Sequence, residues 1–136
     1  MSKIMKLIGI KSRKASERKV DINTKNKVLN FYAKLLDKEK KLILRENLKD
    51  VKFAKNKGIK ENLISRLEIN EIKLKNISDS INKISKLKDP VNVILKKWSR
   101  PNGLNIQRVT IPIGVIGVIF ESRPNVTSDV AGLCFK

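Results

Sequence analysis

Ile113-Gly114-Val115-Ile116-Gly117-Val118-Ile119-Phe120 is the stretch on which the fold class turns. It has no polar side chain, is rich in β-branched residues, and runs from Pro112 to the polar loop Glu121-Ser122-Arg123-Pro124-Asn125. A strand with one wet face alternates apolar and polar residues. This one does not, so it reads as a strand buried on both faces, the pattern of a parallel sheet in an α/β protein. Val126 to Lys136 then reads as the start of a helix, with Thr127 as its cap. Such a strand needs neighbouring strands and covering helices, yet only one stretch of this kind is present. Alone it presents an apolar, unpaired edge. The expectation is the front part of a longer α/β protein.

Working back from that stretch, Val93 to Trp98 and Leu104 to Ile111 flank the turn sequence Arg100-Pro101-Asn102-Gly103, which predicts a β-hairpin. Its alternation is imperfect, as in an edge or arm. The first 90 residues read as helices. Ile4, Leu7 and Ile8 begin an amphipathic stretch reaching about Arg18. Thr24 is the expected cap of the next helix, which carries Val28, Leu29, Tyr32, Leu35 and Leu36 at helical spacing. A third runs from about Lys38 to a stop at Gly58. Asn70 caps the last, whose stripe is Leu74, Ile77, Ile81, Ile84 and Leu87, and Pro90 ends it. The stripes are expected to pack on one another or on a sheet.

The 136 residues hold 31 Lys or Arg, 13 Asp or Glu and no histidine, a formal charge of +18. From Leu104 onward only Arg108, Arg123 and Lys136 stand against Glu121 and Asp129. The other 28 basic and 11 acidic groups, a net of +17, therefore lie in residues 1–103. That field attracts nucleic acid without any specific site, so a basic helical nucleic-acid-binding module is an alternative reading. Against it, Phe31, Tyr32, Phe53 and Trp98 are irregularly spaced and no RNP-like or basic-zipper pattern occurs. The single cysteine, Cys134, excludes a disulfide framework within the chain. Without histidine, a Ser-His or Cys-His pair and the commonest metal sites are excluded too, so no metal is expected. No run approaches the ~20 apolar residues of a membrane span and no secretory signal is evident, which predicts a cytoplasmic protein with no membrane association.

Arg100-Pro101-Asn102-Gly103-Leu104, followed by Val109 through Phe120 and by Glu121-Ser122-Arg123-Pro124-Asn125-Val126-Thr127, resembles gamma-glutamyl phosphate reductase (glutamate-5-semialdehyde dehydrogenase) of the aldehyde dehydrogenase superfamily. The resemblance extends back through Leu87-Lys88-Asp89-Pro90, Arg66-Leu67, Arg45-Glu46-Asn47 with Asp50, and Lys25-Asn26-Lys27, in the family's order. The strand alone points to the superfamily; the Glu-Ser-Arg-Pro-Asn-Val-Thr loop points to the family. Ser65, Asn92 and Phe120 depart from the usual acid, glycine and tyrosine. Asn at position 92 tolerates a left-handed backbone better than most residues.

The resemblance implies an incomplete aldehyde-dehydrogenase-like fold. Residues 1–90 form the helical segment of the nucleotide-binding domain, 91–111 the hairpin arm used in oligomer contacts, and 112–136 the first strand, loop and helix of the nucleotide-binding sheet. It implies NADPH-dependent reduction of L-glutamyl 5-phosphate to L-glutamate 5-semialdehyde with release of phosphate, a step of proline biosynthesis, in a homo-oligomer with no specific nucleic-acid partner. A cysteine thiolate attacks the acyl phosphate in that chemistry. The nucleophile is expected beyond Lys136, so residues 1–136 alone are expected to be inactive. A further alternative is a non-catalytic fragment that associates with an intact reductase.

Asn125 matches the superfamily's oxyanion-donating asparagine; the competing reading is a turn asparagine bonded to its own backbone. Arg123 is placed to meet the substrate's phosphate or carboxylate, or alternatively to pair with Glu121. Ile119, Phe120, Glu121 and Ser122 would lie along the cofactor. Cys134, among Ala131, Gly132, Leu133 and Phe135, reads as a buried structural thiol. Gly114 and Gly117 lie inside the strand at the wrong spacing for a dinucleotide fingerprint.

Overall fold

The computed structural model describes residues 3–121 and 123–136. Its contacts divide into two units, Met1–Val20 with Lys88–Gly117, and Asp21–Leu87 with Val118–Lys136.

In the first unit, α1 (Lys3–Ser16) forms where its amphipathic pattern predicts a helix. None of its residues is buried, however, and Ile4, Leu7 and Ile8 stand more than half exposed. This stripe does not pack as expected and stays exposed.

The second unit holds four consecutive helices: α2 (Ile22–Lys38), α3 (Lys40–Asn56), α4 (Glu61–Leu67) and α5 (Glu71–Ser85). The cap of α2 is Asp21, not Thr24. Its carboxylate accepts the backbone N–H groups of Asn23 and Thr24 at 2.9 and 3.0 Å and the Thr24 hydroxyl at 2.6 Å. A charged acceptor two or three residues upstream satisfies more orphan donors than the threonine hydroxyl can. Helix α3 stops as predicted at Gly58, which takes φ +69° while Ile59 and Gly58 donate back to Ala54 and Lys55, a Schellman arrangement. The seven-residue α4 has a single buried side chain, Ile64, too short a pattern to register as a period. Asn70 caps α5 by accepting the Lys73 N–H at 2.8 Å, as expected. That helix ends at Ser85, before Pro90, and leaves Leu87 past its end and half exposed. The last turn tightens there, with Lys86 and Leu87 bonding three residues back.

Two cores result. Leu29 and Ala33 of α2 meet Ile81 and Ile84 of α5, with Tyr32 and Leu36 against them. Val51 and Ala54 of α3 meet Ile64 of α4, with Leu67 alongside. Ser78 is fully buried between helices and donates to the Ala33 carbonyl and the Asp37 carboxylate at 3.2 and 3.1 Å. Such pairing is what makes a buried hydroxyl tolerable.

The hairpin of the first unit consists of β1 (Ile94–Ser99) and β2 (Asn105–Val109), antiparallel, with Trp98 opposite Ile106 and an irregularity between Ile94 and Lys96. Gly103, at φ +82°, donates to the Arg100 carbonyl and closes the turn where the sequence places it. Asn92 takes φ +61°, the conformation that makes asparagine a mild replacement for glycine there. Thr110 closes the base, its hydroxyl donating to the Pro90 carbonyl at 2.6 Å and accepting from the Val93 N–H at 2.8 Å.

The last helix, α6 (Pro124–Phe135), belongs to the second unit. Pro124 occupies its first turn, so Thr127 lies inside the helix rather than capping it. The largest difference from expectation is Ile113–Phe120, which forms no strand. Ile113 and Ile119 are 88% and 102% exposed. The physical reason is the one its composition announces. Among the described residues the only sheet is the β1–β2 pair, so this stretch has no ladder to join and no helix layer to cover its two faces.

Candidate active site

Asn47 organises the segment that borders the site. It is buried on α3, where its Nδ2 donates to the Leu67 carbonyl at 2.9 Å and its Oδ1 accepts the Ile69 N–H at 2.7 Å. Those two bonds satisfy backbone groups that the end of α4 leaves without helical partners. From the other side Lys73 of α5 donates to the carbonyls of Ser65 and Glu68 at 3.0 and 2.7 Å. Four side-chain-to-backbone bonds thus hold the connection from Ser65 to Ile69.

This connection borders a cleft of about 400 Å³ whose other wall is the N-terminal end of α6. Its polar lining includes Arg66, Glu68, Lys73, Arg123, Asn125 and Asp129. Asn125 Nδ2 donates to the Asp129 carboxylate at 3.1 Å, one helical turn on, which orients the amide and leaves its second N–H unused. It does not bond its own backbone, as a turn asparagine would. Arg123 is the residue before α6, exposed, with no side-chain capping bond; the ion pair with Glu121 does not form. The structure therefore brings two sequence-predicted residues, Arg123 and Asn125, into one cleft. It adds Arg66 and Lys73, which the sequence reading did not single out as site residues. In the sequence Arg66 belongs only to the family resemblance, and nothing in its local spacing marks it.

A second cleft, about 410 Å³, is lined by Asp37, Lys40, Glu71 and Lys75 among others. Its charged groups have partners: Lys40 pairs with Glu71 at 3.1 Å, Lys75 with Asp79 at 2.9 Å, and the Asp37 carboxylate accepts a hydrogen bond from the Ser78 hydroxyl. Asp79 raises the Lys75 pKa, and hydrogen bonds from Lys49 and Arg45 lower that of Glu46. Both are ion pairs on helix surfaces.

Ile119, Phe120 and Glu121 line neither cleft and are exposed; Ser122 lies outside the described residues. Cys134 is exposed rather than buried, because the packed face of α6 is Ser128 and Gly132. No acid or base stands in hydrogen-bond contact with its thiol among the described residues. Nor do three or more Cys, Asp or Glu side chains converge there to hold a metal ion. No described helix is long and apolar enough to cross a membrane.

No protein-family model matches the chain. It is 49% identical over 132 residues to the gamma-glutamyl phosphate reductase of a Thermoanaerobacter species, a match covering 95% of this chain and 32% of that protein. The crystal structure of the Thermotoga maritima gamma-glutamyl phosphate reductase superposes with a TM-score of 0.87 at 39% identity, over 92% of this chain and 31% of that one. The Saccharomyces cerevisiae enzyme superposes with a TM-score of 0.91 at 28% identity, over 99% and 35%. The chain is thus similar along nearly its whole length to these oxidoreductases, matches the N-terminal part of their fold, and spans about a third of their length.

Proposed function

We propose that this chain is the N-terminal third of a gamma-glutamyl phosphate reductase, the enzyme that reduces L-glutamyl 5-phosphate with NADPH to L-glutamate 5-semialdehyde and phosphate. The observation that carries the reading is the meeting of Arg123 and Asn125, both from the family-specific loop, in one cleft with Arg66 and Lys73. Arg123 holds an anionic group of the substrate through its forked N–H donors. Asn125 directs its spare N–H at the oxygen on which charge develops when a thiolate adds to the acyl phosphate. That thiolate comes from elsewhere in the longer protein, since Cys134 faces solvent on α6 with no acid or base bonded to its thiol among the described residues.

The cofactor belongs to the same proposal. NADPH is assigned to the complete nucleotide-binding sheet, which Ile113–Phe120 joins as a central strand. The segment Ile119 to Ser122 then runs along it. Residues 1–90 contribute helices to that domain, 91–111 the arm, and 112–136 the strand and helix. An isolated two-stranded hairpin is marginal in water. With Leu95, Trp98 and Leu104 exposed, β1 and β2 fit an arm covered by a second subunit of a cytoplasmic homo-oligomer.

A chimaera tests the reading. Residues 1–136 replace their counterpart in the Thermoanaerobacter reductase, and NADPH oxidation is followed with glutamyl 5-phosphate. Restored turnover, with none from the 136-residue chain alone, is the expected result. A folded, cofactor-binding chimaera without turnover overturns the reading.

A further inference from the structure

Arg66 and Arg123 both line the cleft. Neither Arg66 nor Arg123 makes a side-chain hydrogen bond or ion pair among the described residues, although Glu68 and Asp129 line the same space. Of the other charges there, Lys73 and Asp129 are already engaged, while the Glu68 carboxylate makes no hydrogen bond or ion pair among the described residues. Lys73 donates to the carbonyls of Ser65 and Glu68, and Asp129 accepts from Asn125. The wall opposite Arg66 is the N-terminal end of a twelve-residue helix whose cap residue, Arg123, makes no side-chain capping bond; Pro124 in its first turn has no N–H, and the Val126 N–H donates to the Arg123 carbonyl at 3.1 Å. Arg66 itself rides on the connection held by the bonds from Asn47 and Lys73, which makes it a guanidinium on a fixed support rather than a free surface arginine.

We propose that Arg66 is a substrate-binding residue that forms, with Arg123, a two-sided clamp for one oxyanion group in this cleft. The guanidinium fork matches phosphate and carboxylate alike, so the shared chemistry is a multivalent oxyanion bound by parallel N–H donors. The substrate assignment rests on the reductase reading. The clamp itself does not, because anion binding is read without turnover.

The test uses the purified chain at physiological ionic strength, where the general field of its net +18 charge is screened over about 8 Å. Inorganic phosphate and L-glutamate are titrated separately by calorimetry and by backbone amide NMR. The expected result is saturable binding of at least one probe, with shifts centred on Arg66 and on Val126 and Asn125. Tighter phosphate places a phosphoryl group in the clamp, and tighter glutamate a carboxylate. Arg66→Ala and Arg123→Ala each weaken that binding about tenfold or more, the scale of a lost charge-assisted bond. Arg66→Lys, which keeps the charge and loses the fork, weakens it too. Lys34→Ala, removing an exposed lysine on α2, leaves it within about twofold. Circular dichroism confirms that each variant retains its helices. Absence of saturable binding of both probes overturns the clamp, as does an equal loss in Lys34→Ala and Arg66→Ala.

Discussion

Gly132 of α6 lies so close to Ile81 of α5 that a β-carbon built on it stands 2.9 Å from Ile81 Cδ1 and 3.2 Å from Ile84 Cδ1. The glycine lets two helices meet at backbone distance. That contact, together with the 2.7 Å bond between the Tyr32 and Ser128 hydroxyls, sets the helix carrying Asn125 against the α2–α5 core.

The contact makes a graded prediction. Gly132→Ala gains about 1 kcal/mol of helix propensity but must displace two isoleucine methyl ends, so its stability stays near that of the parent. Gly132→Val adds volume that the packed core cannot absorb and is expected to lose about 1–3 kcal/mol. Urea unfolding of the two variants checks the order. Equal stability of the valine variant would show that α6 does not pack here.

Asn47 gives the second prediction. Asn47→Ala strands the Leu67 carbonyl and the Ile69 N–H and is expected to destabilise the chain by about 2–3 kcal/mol. Because those bonds hold the connection bearing Arg66, anion affinity in the cleft falls as well. Asn47→Asp keeps the acceptor for Ile69 and loses the donor to Leu67, so its loss is larger at neutral pH than in acid, where its carboxyl regains a donor. Chemical denaturation at the two pH values measures both effects.

Asp21 titrates with folding. Hydrogen bonds from the Thr24 hydroxyl and from the N–H groups of Thr24 and Asn23 hold its folded-state pKa below the ordinary carboxylate value. A depressed folded value means the cap stabilises α2 fully above the unfolded pKa, and that this contribution disappears as pH falls through the folded one. Asp21→Ala is therefore less stable than the parent at pH 7, and the gap between their denaturation midpoints closes in acid below the normal carboxylate range. A gap that stays constant with pH would contradict a charged cap.

Ile113–Phe120 behaves differently in this chain and in a longer one. Ile116→Lys is expected to change the stability of the 136-residue chain by less than about 0.5 kcal/mol, since the site is exposed, and to reduce self-association. Within the reductase chimaera the same substitution buries a charge in a central strand and prevents folding. Light scattering and soluble yield report the two outcomes.

Asn125 carries the kinetic prediction. In the chimaera, Asn125→Ala lowers kcat by roughly 10²–10³, the size of one lost oxyanion donor, with kcat/KM falling in parallel because the interaction is made only in the transition state. A rise in KM alone would assign Asn125 to ground-state binding instead.

What the sequence by itself determined was local. The helix period of Leu74, Ile77, Ile81 and Ile84, the Asn70 cap, the left-handed stops at Gly58 and Gly103, and the hairpin around Arg100–Gly103 all depend on neighbours within a few residues, and all stand in the structure. So did the family likeness, because the Glu-Ser-Arg-Pro-Asn-Val-Thr loop is itself a local pattern. The tertiary structure decided everything that needs a partner distant in sequence. It exposed Cys134, buried Gly132, and left Ile113–Phe120 outside any sheet. It also brought Arg66 into the cleft of Arg123 and Asn125, more than fifty residues away along the chain. The Asp21 cap, by contrast, is local and was legible in the sequence but assigned to Thr24. Composition marks Ile113–Phe120 as apolar on both faces, but pairing and burial are supplied by other segments. A strand exists only when its hydrogen bonds have somewhere to go.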